Sequence, residues 1–158
     1  MTHIQNVSIF LLRISLGWYM FYAGITKVLN PEWSAAGFLK GAKAFKGLFS
    51  FFLQPEILPI VNFLNAWGLT AIGVALLLGV GVRLASVFGG ALMMLYYLPI
   101  LEFPYVGQYA FLVDEHIVYA LVFVLLFVFR AGRFWGLETW CSNLPVCSRY
   151  PKLRNWIG

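Results

Sequence analysis

Residues 7–29 read VSIFLLRISLGWYMFYAGITKVL, an apolar run interrupted only by Arg13 and closed by Lys27. At about 20 residues per crossing of a ~30 Å hydrocarbon layer, this run is long enough to span a bilayer. No basic residue precedes it, the apolar stretch continues past Arg13, and no small-residue cleavage site follows. It therefore reads as a retained anchor and not as a cleavable leader. Asn30-Pro31 ends it, because a residue before proline avoids the helical region.

The rest of the chain repeats the pattern. Of its 158 residues 61% are hydrophobic and 11% charged, with a mean hydropathy of +0.82. A soluble domain carries about 25% charged residues, and so few charges could not cover so much apolar surface in water. Further apolar runs occupy 60–80, 84–101 and 111–129, separated by the tight turn Gly79-Val80-Gly81-Val82-Arg83 and a loop marked by Pro99, Pro104 and Gly107. The predicted fold is an all-α transmembrane four-helix bundle, one domain over 1–158, with short links making neighbours antiparallel. Small residues four apart (Ala71/Ala75, Ala85/Gly89, Ser86/Gly90) allow close helix approach. Between the first two spans, 33–53 is too basic to cross. On a helical wheel Phe38, Ala42, Phe45, Phe49 and Phe52 share one face, and Lys40, Lys43 and Lys46 take the other. That pattern predicts an amphipathic helix in the headgroup layer, with an irregular loop at Gly37, Gly41 and Gly47 as the alternative. The tail, 131–158, contains Trp140 and Trp156 and is expected along the membrane surface.

The net charge of +5 does not indicate a nucleic-acid partner, because the basic residues flank apolar segments instead of forming one patch among aromatics. Four spans place Arg83, Arg130, Arg133, Arg149, Lys152 and Arg154 on one side, with Arg13 near it. Lys27, Lys40, Lys43 and Lys46 fall on the other. The bias predicts a multi-pass protein of the cell membrane with cytoplasmic termini. Cys141 and Cys147 then face a reducing compartment and remain thiols, and their spacing matches no zinc or redox motif.

Ionisable residues within or at the ends of spans are costly and so become site candidates. Arg13 either snorkels to the interface or is buried against a carboxylate or a polar headgroup. Lys27, Glu102, Asp114, Glu115 and His116 are expected at similar depth on the outer side, giving Lys27 several acidic partners. An acid–His–Lys layer suits proton-coupled quinone chemistry, since His exchanges protons near neutral pH and a carboxylate relays them. The same layer could instead be an ion-pair belt that pins helix ends. No His pair suited to haem, no Cys cluster, no metal site and no phosphate loop occurs, so a redox role implies a subunit working with others.

Several strings resemble the DoxX-like family of membrane proteins. Leu11-Leu12-Arg13-Ile14-Ser15-Leu16-Gly17 followed by Ala23-Gly24-Ile25-Thr26-Lys27 is similar to its opening helix. The segment from Gly73 through Leu76 and Gly79 to Arg83 resembles the end of its second helix. Asp114 with His116 resembles the start of its fourth, and Ala131-Gly132-Arg133-Phe134-Trp135-Gly136-Leu137-Glu138 its Gly-rich ending. Leu69 stands where many relatives carry Glu, and Glu138 where they carry Asp. The resemblance implies a membrane subunit of a respiratory or quinone-linked oxidoreductase, relatives of DoxD and DoxX subunits, with quinone as the expected ligand. It also implies a partner: a larger membrane complex or a homo-oligomer. The rivals are a non-catalytic assembly subunit and a small permease. The permease would need a polar path from Lys27 to Arg13, where the first helix offers only Thr26, Tyr22, Tyr19, Trp18 and Ser15.

Overall fold

A computed structural model describes residues 2–107 and 110–138. Cys141, Cys147, Trp140 and Trp156 lie outside the described residues. The chain is mostly helical: α1 His3–Val28, α2 Ala36–Lys40, α3 Lys46–Phe52, α4 Leu58–Leu78, α5 Val82–Ile100 and α6 Glu115–Val128. Of these, α1, α4 and α5 are long and apolar enough to cross a membrane.

Local chemistry sets most boundaries. Thr2 and Gln5 form a reciprocal capping box at the start of α1, satisfying backbone donors that the first turn leaves open. Pro59 sits in the first turn of α4, where its missing N–H costs nothing. Gly79 ends α4 and Gly81 opens α5, both with left-handed backbone (φ 67° and 63°), which glycine adopts without a Cβ penalty. Asp114 caps α6, its Oδ1 accepting from the backbone N–H of His116 and Ile117.

The long helices pack as antiparallel neighbours, α1 along α4 and α5 along α6, with α4 also touching α5. Glycines bring α1 and α4 into near-backbone contact. A Cβ added to Gly17 would lie 2.9 Å from the Leu76 Cβ, and Gly24 and Gly73 meet the facing helix backbone directly. Of the small residues singled out by spacing, Ala85, Ser86 and Gly89 face inward, and Gly89 accommodates the Phe123 ring. Ala71 faces out. The inner cluster includes Leu16, Met20, Leu69, Leu76, Met93 and Phe123. Outward faces are just as apolar, with Phe63, Trp67, Phe88, Leu121 and Val124 exposed, as hydrocarbon contact requires.

Two expectations need correction. The run 111–129 is not helical throughout. Its first residue, Phe111, closes a small antiparallel sheet of β1 Leu101–Glu102, β2 Tyr105–Val106 and β3 Ala110–Phe111, and 112–114 are non-helical. Helix α6 has 14 residues, about 21 Å at 1.5 Å each, less than the ~30 Å of hydrocarbon. The segment 33–53 is two short helices and not one. Phe45 between them has φ 50°, so the helical face predicted from Phe38 to Phe52 is broken. Leu39, Ala42 and Phe49 are buried in a satellite core, while Phe38 and Phe45 are exposed.

Candidate functional site

Lys27, in the last turn of α1, points into an apolar pocket of about 500 Å³ between the 33–53 segment, α4 and α5. Trp33, Phe38, Phe49 and Phe52 wall it from one side, Leu64 and Leu95 from the other, and His116 reaches it from α6. Ala35 N–H donates to Asn62 Oδ1 on α4 at 2.9 Å, and Lys43 N–H donates to the Pro99 carbonyl on α5 at 2.7 Å. The covering segment is thus fastened to both helices.

Within the pocket Lys27 Nζ donates to Asn65 Oδ1 (3.1 Å) and to the Tyr96 hydroxyl (3.2 Å). Asn65 Nδ2 donates to the same hydroxyl at 2.6 Å. With both acceptor positions of that oxygen occupied, its own hydrogen is available to a further acceptor. The ammonium also lies 4.9 Å from the Trp33 ring centre, a favourable cation–π distance. The Tyr96 ring meets the His116 ring edge-on at 5.8 Å. His116 Nδ1 lies 2.6 Å from Asp114 Oδ2, so the carboxylate engages one ring nitrogen and leaves Nε2 as the other working atom.

The outer acidic residues therefore do not gather around Lys27. Glu102 is on the surface and paired with Lys43 at 2.5 Å, which holds its carboxyl below the usual range. Glu115 is exposed in the first turn of α6. Only Lys27, His116 and, through His116, Asp114 share the pocket. Asn65, Tyr96 and Trp33 complete it and escaped the sequence reading. Asn65 could have been found as an amide within an apolar span, a rare and costly placement.

Arg13 lies at the other end, 14 positions before Lys27 and so about 21 Å along the helix. It does not snorkel: it is fully buried at 0% exposure. One terminal nitrogen donates to the Ala131 carbonyl at 3.0 Å and the other approaches that of Trp135 at 3.5 Å. Gly79 and Gly136 lie flat against the guanidinium, where a Cβ would collide with it. The carboxylate it was expected to meet is near. Glu138, 1% exposed, packs on Gly132, with Oε1 3.5 Å from Arg133 Nε. Burial pushes its carboxyl upward, with Arg133 the strongest opposing charge. This end is a clasp that folds the segment after α6 onto α1 and α4.

Apolar helices built to contact hydrocarbon, with an apolar pocket holding a few polar groups at one end, define an integral membrane protein. The DoxX family model matches residues 8–100, which include both Arg13 and Lys27, and the chain belongs to the DoxX family. The match ends with α5, so the resemblance at Asp114/His116 and at 131–138 lies beyond it. Searches of curated proteins and of solved structures gave no match.

Proposed function

We propose that this chain is the membrane subunit of a quinone-linked oxidoreductase complex and that its pocket holds the quinone ring. One observation carries the reading: Lys27, Tyr96 and an Asp114-oriented His116 converge on a single aromatic-walled pocket. A quinone is flat and apolar on its faces, with a carbonyl oxygen at each end. Aromatic walls suit the faces, the free Tyr96 hydrogen or Lys27 suits one oxygen, and His116 suits the other. A bound quinone supplies two-electron chemistry coupled to proton uptake. On the protein side, His116 Nε2 delivers or accepts a proton, and the Asp114 carboxylate stabilises the ring while it is charged. Electrons enter from a partner subunit.

In this reading α1, α4 and α5 cross the cell membrane, and α6 together with the non-helical apolar residues 111–113 before it makes the fourth crossing of a four-helix bundle in one domain. The termini and Arg83 are cytoplasmic, and α2 and α3 lie in the outer headgroup layer. Supporting it are the outward apolar faces and the lysines Lys40 and Lys46 exposed on the covering segment.

Equilibrium dialysis of the protein in lipid nanodiscs against a short-chain ubiquinone and a naphthoquinone tests the reading. Saturable binding is expected, weakened about tenfold (~1.4 kcal/mol) by His116→Ala and by Tyr96→Phe. Binding that ignores both substitutions removes the quinone site and leaves the assembly-subunit role.

A further inference from the structure

The acidic inventory of this chain is small, and its distribution leaves Lys27 without a counter-charge among the described residues. The sequence holds six Asp and Glu residues, all within the described part. Glu102 pairs with Lys43, Asp114 with His116, and Glu138 with Arg133 at the opposite end. Glu32, Glu56 and Glu115 are exposed. The described partners of Lys27 are all neutral: an amide oxygen, a phenol oxygen and the faces of Trp33 and Tyr96.

A half-buried ammonium in an apolar pocket is expensive unless an anion joins it. Asn65 and Tyr96 orient the ammonium but bring no charge. The pocket has room for an anion beside an apolar body.

We propose that Lys27 is the counter-ion for an anionic ligand: an apolar molecule ending in an ionised oxygen, either a ring hydroxyl or a carboxylate. The head sits against Lys27, with the Tyr96 hydrogen as a second donor, and the apolar body lies among the aromatic walls. This rests on the pocket being a ligand site, as proposed above, but not on the ligand being a quinone.

The test compares charged and neutral twins in phosphatidylcholine nanodiscs. One pair is 2-hydroxy-1,4-naphthoquinone, ionised at neutral pH, against its 2-methoxy counterpart. The other is dodecanoate against dodecanol. The ionised member of at least one pair is expected to bind about tenfold more tightly than its twin, the worth of a modest charge-assisted contact. Lys27→Met should abolish that preference, bringing the two members of the pair to equal affinity, and Lys27→Arg should keep it. If Lys27→Met does not fold, the wild-type and Lys27→Arg comparisons still decide. Equal binding within both pairs overturns the counter-ion role while sparing the quinone reading, provided the naphthoquinones bind. Lys27-dependent binding of dodecanoate with neither naphthoquinone bound supports the counter-ion role and overturns the quinone reading. No binding of any of the four overturns both.

Discussion

Gly24 on α1 and Thr70 on α4 are in direct contact: a Cβ added to Gly24 would lie 2.8 Å from the Thr70 Cα. Backbone cannot move aside as a flexible side chain can, so the two helices would have to separate. Gly24→Ala is expected to destabilise the protein by about 2 kcal/mol, as overpacking does. Gly68→Ala, where nothing lies within 4 Å, should cause no loss. Thermal unfolding in one detergent compares the two, and equal melting temperatures would refute the close approach.

Arg13 offers a second measurement. Arg13→Met leaves the Ala131 carbonyl buried without its donor and removes a positive charge near Glu138. The expected loss is about 2–4 kcal/mol. Trypsin should also cleave after Arg133 faster than in the wild type, because the clasp opens. Arg13→Lys should recover only part of the loss, since an ammonium lacks the planar fork that reaches two carbonyls. Wild-type protease resistance in Arg13→Met would show that the clasp does not depend on this residue.

Glu138 gives the clasp a pH dependence. Burial raises its folded carboxyl above the unfolded value, so the folded chain holds that proton more tightly. Stability from this group is full below the unfolded carboxyl range, about 4.3, and is lost as pH rises through the raised folded value. Glu138→Gln should flatten the dependence and melt higher than wild type at neutral pH. Parallel melting curves across that window would contradict the assignment.

Asp114 has two jobs that substitution can separate. Asn is as good an N-cap as Asp, so Asp114→Asn should keep α6 intact while losing the charge on His116. Asp114→Ala should also lose about 1 kcal/mol of stability. Under the function proposed above, quinone-linked turnover of the complex should fall in both variants. Wild-type turnover in Asp114→Asn would remove the carboxylate from the site.

The three long helices were legible because each is a continuous apolar run closed by Pro or Gly, and their observed ends fall within about four residues of the predicted ones. Hydropathy failed where it cannot distinguish apolar extended or irregular chain from an apolar helix. Phe111, Leu112 and Val113 read as helix, yet the Asp114 cap was the true start signal. The lysine-bearing segment failed differently. Its wheel assumed one continuous helix, and the left-handed Phe45 rotates everything after it. Charges at Lys27, Asp114 and His116 were visible in one dimension because ionised groups are rare in spans. Tyr96 and Trp33 are ordinary residues there, Asn65 alone stands out as an amide within a span, and only the packing of α1 on α4 and of the covering segment on α5 brings the three to Lys27. The expected acid–lysine pairing failed because Lys43 and the α6 cap engage the nearest carboxylates first.

The covering segment is tied at both margins, by Asn62 to α4 and by the Pro99 carbonyl to α5. Leu64 and Leu95 line the pocket and are exposed on the outer faces of those apolar helices. Were the proposed ligand to enter between them, it would be drawn from the lipid phase and not from water, and occupancy would follow its concentration within the membrane. Affinities measured against an aqueous concentration would then vary with the amount of lipid present, and only those expressed per lipid would be constant.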